Sequence, residues 1–90
     1  MLEFYLALLD NDSDKGRLSY IYEKYYKLML SVANEYSQNK SDAEDIVHES
    51  LMKIIDNLDK IDIGNEVSTK CYICTITKNL AKDNTKHNRF

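Results

Sequence analysis

No proline interrupts this chain of 90 residues, and it has only two glycines, Gly16 and Gly64. Those two residue types stop helices and shape tight turns, and a turn-rich β protein needs many of them. Their scarcity points to long uninterrupted helices. The breaks that remain are three clusters of turn formers: Asp10-Asn11-Asp12-Ser13, Ser37-Gln38-Asn39-Lys40 and Asp62-Ile63-Gly64-Asn65. They divide the chain into helices predicted at about 2–9, 14–37, 42–60 and 69–85.

Periodicity supports that division. Leu18, Ile21, Tyr22, Tyr25, Leu28, Met29, Val32, Ala33 and Tyr36 recur at helical spacing, as do Ala43, Ile46, Val47, Leu51, Ile54, Ile55 and Leu58. Ile73, Ile76, Thr77 and Leu80 form a third stripe. Ser41-Asp42-Ala43-Glu44 reads as a capping box opening the third helix, with its acids at the positive end of the helix dipole. Amphipathic helices joined by short loops imply an all-α fold, a compact bundle of three to four helices in one domain spanning residues 1–90. With 43% apolar residues the core is real but modest.

Several function classes are excluded. No stretch approaches the roughly 18–20 apolar residues of a membrane span. Met1–Leu9 lacks the basic flank and cleavage site of a signal peptide, so a cytoplasmic location is expected. The two cysteines, Cys71 and Cys74, have neither a βαβ setting for redox work nor enough partners for zinc, and His48 and His87 stand far apart. They read as small helix residues. No metal, cofactor or catalytic constellation is expected.

The net charge of −3 conceals an asymmetry. Asp42, Glu44, Asp45, Glu49, Asp56 and Asp59 crowd residues 41–59 against Lys53 alone, whereas Lys70, Lys78, Lys82, Lys86 and Arg89 stand in residues 70–90 against Asp83 alone. On the third helix Asp45 and Glu49 are one turn apart, with His48 beside them and Met52 just beyond. That pattern is either a solvated face or a docking surface for a basic partner. At 100° per residue from Ile73, the cations Lys78, Lys82, Lys86 and Arg89 fall at about 140–220°, opposite the core, with Thr75 on that side and Asn79 at its border. Such a row is again a solvated face, or one that tracks a phosphate backbone. The loop 61–69 offers small polar groups (Asn65, Ser68, Thr69) of the kind that line a pocket for an extruded base.

The order of three segments carries a resemblance. Tyr22-Glu23-Lys24-Tyr25-Tyr26-Lys27-Leu28 precedes Asp42-Ala43-Glu44-Asp45-Ile46-Val47-His48-Glu49-Ser50-Leu51, which precedes Tyr72-Ile73-Cys74-Thr75-Ile76-Thr77-Lys78-Asn79-Leu80-Ala81-Lys82-Asp83. Over about residues 15–90 this resembles region 2 of the sigma-70 family of RNA polymerase sigma factors, in its extracytoplasmic-function branch. The resemblance implies a binding module, not an enzyme. Asp45, His48, Glu49 and Met52 would dock on the β′ clamp helices of core RNA polymerase. Asn65, Ser68, Thr69 and Tyr72 would line a pocket for a flipped base of the promoter −10 element, non-template strand. Lys78, Asn79, Lys82, Lys86 and Arg89 would face the DNA.

Some residues depart from the family's pattern. His48 stands where glutamine is usual, Leu51 where an aromatic is common, and the segment 84–89 is less basic than the family's arginine-rich end. A second helical domain that reads the −35 element is not in this sequence, which is therefore either a piece of a longer factor or a free-standing regulator. The alternative reading is a sigma-like interaction protein that binds polymerase or an anti-sigma partner without opening DNA.

Overall fold

The computed structural model describes residues 2–88, with side chains through Asp83. Four α-helices follow one another: α1 (Leu2–Leu6), α2 (Asp12–Tyr36), α3 (Lys40–Asp56) and α4 (Glu66–Asn88), with a single 3-10 turn at Leu58–Lys60. No strand occurs among the described residues. The architecture is the all-α bundle that periodicity predicts.

One device starts all three long helices. The side-chain oxygen of Asn11 accepts from the Asp14 backbone N–H at 2.8 Å, that of Asn39 from Asp42 at 2.9 Å, and that of Asn65 from Ser68 at 3.0 Å. An asparagine before a first turn satisfies one of the backbone donors that no helical carbonyl can reach. The capping box is thereby corrected. The cap of α3 is Asn39, and Ser41 is an exposed first-turn residue. Helix α4 likewise begins at Glu66, three residues before its expected start, because Asn65 caps it.

The core is a three-way seam among α2, α3 and α4. From α2 come Leu18, Ile21, Tyr25, Met29 and Ala33, and from α3 Ala43, Ile46, Val47, Leu51 and Ile54. On α4 the fully buried row is Thr69, Ile73, Thr77 and Ala81, four residues apart, while Ile76 and Leu80 are half-buried. Two small or β-branched polar residues fit there because Thr77 donates to the Ile73 carbonyl at 2.9 Å and Thr69 to the Asp62 carbonyl at 2.9 Å. Ser50 on α3 does the same to Ile46 at 2.8 Å. No buried side-chain nitrogen or oxygen lacks a partner among the described residues.

Candidate protein-docking and nucleic-acid surfaces

Burying Ala43, Ile46, Val47, Ser50, Leu51 and Ile54 turns Glu44, Asp45, His48 and Glu49 outward. Met52 is half-buried at the edge of this face and packs on the core. Three carboxylates and an adaptable apolar edge share one exposed side of a rigid helix, a layout that suits a basic partner.

His48 is exposed but not isolated. Its Nδ1 shares a 2.7 Å hydrogen bond with the hydroxyl of Tyr5, and the two rings lie 5.6 Å apart. Phe4 sits beside them, 6.2 Å from the His48 ring and edge-on to Tyr5 at 5.3 Å. Helix α1, which packs chiefly on α2, thus reaches the acidic face of α3 through Tyr5 and Phe4 at His48, a contact between residues 43 apart that helical periodicity does not reveal. Its only local signal is an apolar segment with aromatics at 4 and 5 ahead of the first turn cluster.

The second surface begins in the loop before α4. The Asp62 carbonyl accepts from both the Asn65 N–H at 3.0 Å and the Thr69 hydroxyl at 2.9 Å, and its carboxylate takes the Gly64 N–H at 3.1 Å. The loop is therefore tied to the first turn of the helix it precedes. Of the four residues expected to line a base pocket, Ser68 is exposed and Tyr72 half-buried. Asn65 is exposed, with its side-chain oxygen engaged in the cap. Thr69 differs from its expected place. It is 1% exposed with its hydroxyl committed to Asp62, so it positions the loop and presents nothing to solvent. The signal for this was its spacing of four from Ile73.

Along α4, Thr75, Lys78, Asn79 and Lys82 are exposed on the side away from Ile73 and Thr77. Exposed Ser68 precedes them at the same helical phase. Cations and hydrogen-bonding side chains alternate along this strip, the mixture that backbone tracking and base contact require. The side chain of Lys86 and all of Arg89 lie outside the described residues.

Between α2 and the first turns of α4 opens a cleft of about 490 Å³, lined by Lys24, Tyr25, Leu28, Glu66, Val67 and Lys70. Lys24 pairs with Glu66 across it and bonds the Tyr20 hydroxyl at 3.0 Å. That hydroxyl is the main cause of a raised Lys24 pKa. Cys71 and Cys74 are free thiols. No group of three His, Cys, Asp or Glu able to hold a metal occurs among the described residues, and none of their helices is long and apolar enough to cross a membrane.

The family model described as Sigma-70 region 2 matches residues 21–90, which hold most of α2 and all of α3 and α4. The chain belongs to the sigma-70 region 2 family. This is not an enzyme family, and its domains in general bind core RNA polymerase and recognise promoter −10 DNA in transcription initiation. No curated protein and no solved structure matches the chain. The matched residues include the acidic face of α3 and the outward strip of α4, whereas α1 lies outside them.

Proposed function

We propose that this region 2 domain, folded as one unit and of the extracytoplasmic-function type, docks on the β′ clamp helices of core RNA polymerase and helps open promoters. The observation that carries the reading is the exposed Asp45–Glu49 pair, one turn apart on α3 of a region 2 fold. The D-A-E-D-x-V-x-E run at 42–49 supports the branch. In this mechanism no bond is made or broken. Asp45, His48, Glu49 and Met52 hold polymerase, which places Ser68, Tyr72, Lys78, Asn79 and Lys82 against the non-template strand of the −10 element. Lys86 and Arg89 extend the basic row in sequence. Thr69 and Asn65 shape the loop that receives a flipped base, through Asp62 and the helix cap.

Titration of the chain against purified core RNA polymerase tests the docking step. Wild type is expected to bind, and the double variant Asp45→Lys, Glu49→Lys to lose binding while keeping its helical circular dichroism. A folded wild type that does not bind core polymerase overturns the reading.

A second reading rests on the modest charge of the α4 strip, whose described cations, Lys78 and Lys82, are followed by exposed Asp83. There the domain occupies polymerase or an anti-sigma partner without opening DNA. Salt-dependent binding to single-stranded −10 DNA in the presence of polymerase favours promoter opening, and its absence favours the second reading.

A further inference from the structure

We infer that α1 belongs to the polymerase-docking surface, with Phe4 as an aromatic anchor set into the acidic face of α3. The inference rests on the docking reading above and adds a contact from outside the residues that match the family.

Phe4 is 55% exposed, and a lone exposed aromatic is by itself ordinary on a protein surface. What distinguishes this ring is how it is held. Directly beside it in sequence, Tyr5 is 1% exposed, packs its ring 6.3 Å from Tyr22 of α2 and bonds His48 through its hydroxyl. That buried tyrosine fixes the short helix to α2 and α3 together. Phe4 is thereby presented edge against Tyr5 and tilted over His48.

The surroundings name the kind of partner. His48, under the Phe4 ring, is flanked on α3 by exposed Asp45 and Glu49. A preorganised aromatic ring among carboxylates is the layout of an interface anchor. The ring fills an apolar recess and loses its water, while the charges steer a complementary surface and fix its register. The fitting occupant is a basic helical surface with an apolar recess at its centre. In the docking reading that occupant is polymerase, and α1 makes the contact wider than α3 alone allows.

The experiment is the same titration of the full chain against core RNA polymerase, extended to Phe4→Ala and Phe4→Trp. Because the ring is more than half exposed, Phe4→Ala should keep the wild-type circular dichroism and thermal melt. Its affinity is expected to fall about tenfold or more, the loss typical of an interface anchor, while Phe4→Trp stays near wild type. The loss from Phe4→Ala should persist between about 50 and 500 mM salt, whereas the contribution of Asp45 and Glu49 shrinks over that range.

If Phe4→Ala binds as wild type does, or more tightly, while Asp45→Lys, Glu49→Lys still abolishes binding, α1 lies outside the contact or covers it. This inference then falls and the docking reading stands. A Phe4→Ala loss that disappears at high salt overturns it equally, since an apolar anchor is not screened. Failure of folded wild type to bind at all removes the docking reading, and this inference with it.

Discussion

Tyr5 shows how much one residue does in a small helical domain. It seats α1, its ring packs near Tyr22, and its hydroxyl bonds His48. Burial first, then the nearby Tyr22 and Tyr26 hydroxyls, push its pKa above the ordinary value of 10.0. Tyr22 is raised by burial, Tyr26 and Glu3 in the same way. A raised tyrosine pKa means that the folded state favours the neutral phenol. The associated stability is fully present below pH 10 and is lost as pH rises through the raised values. Urea melts of Tyr5→Phe should therefore show a shallower alkaline decline than wild type above about pH 10. Parallel declines would mean that Tyr5 does not contribute to it. At neutral pH the same variant should lose about 1 kcal/mol with the His48 bond. Thr69 permits an equally specific expectation. Thr69→Val removes the hydroxyl that holds Asp62 and should cost about 1–3 kcal/mol, because the site is buried, whereas Thr69→Ser should keep the bond.

For the helices as units, the Asn caps decide where each begins. Asn39→Ala should lower stability by about 1 kcal/mol and Ser41→Ala by much less, as chemical denaturation would show. The reverse order would restore the capping-box assignment. The α4 seam of Thr69, Ile73, Thr77 and Ala81 explains why this helix has a weaker apolar stripe than α3. Two of its four buried positions are threonines whose hydroxyls bond carbonyls. Thr77 already stands on the stripe that periodicity predicts, whereas Thr69 reads as a polar loop residue in sequence and is core in the fold. On α3, Leu51→Ala empties a fully buried position and should cost about 2–5 kcal/mol, a large share of the stability of so small a domain.

Across the whole molecule, the division of charge matters more than its sum. The net charge of −3 opposes nonspecific attraction to nucleic acid, so DNA binding is expected to depend on the local α4 strip and on prior docking through α3. Replacing Lys78 and Lys82 by Gln should weaken binding of the polymerase complex to single-stranded −10 DNA. It should also reduce the slope of log K against log salt by about 0.7 for each phosphate no longer neutralised. An unchanged slope would place both lysines away from the DNA. The long α2 joins the assembly through its buried stripe of Leu18, Ile21, Tyr25, Met29 and Ala33, to which the exposed Lys24–Glu66 pair and the Arg17 bond to the Leu58 carbonyl at 3.4 Å add little.

Local patterns in the chain were enough to define the helices, their approximate limits, the buried stripes of α2 and α3, and the outward placing of Asp45, Glu49, Lys78 and Lys82. All of these follow from periodicity and turn chemistry, which depend on neighbours within a few residues. At the start of α3 the S-x-x-E box reads as the cap in sequence, and the backbone path gives that place to Asn39 instead. Thr69 and Ala81 joined the core because the α4 seam runs at a spacing of four, with small residues where helices approach closely. The seat of α1 on His48 and the Lys24–Glu66 pair link residues more than 40 positions apart. No local pattern encodes such meetings. They were decided by how three helices, each with one apolar face, close on a common core.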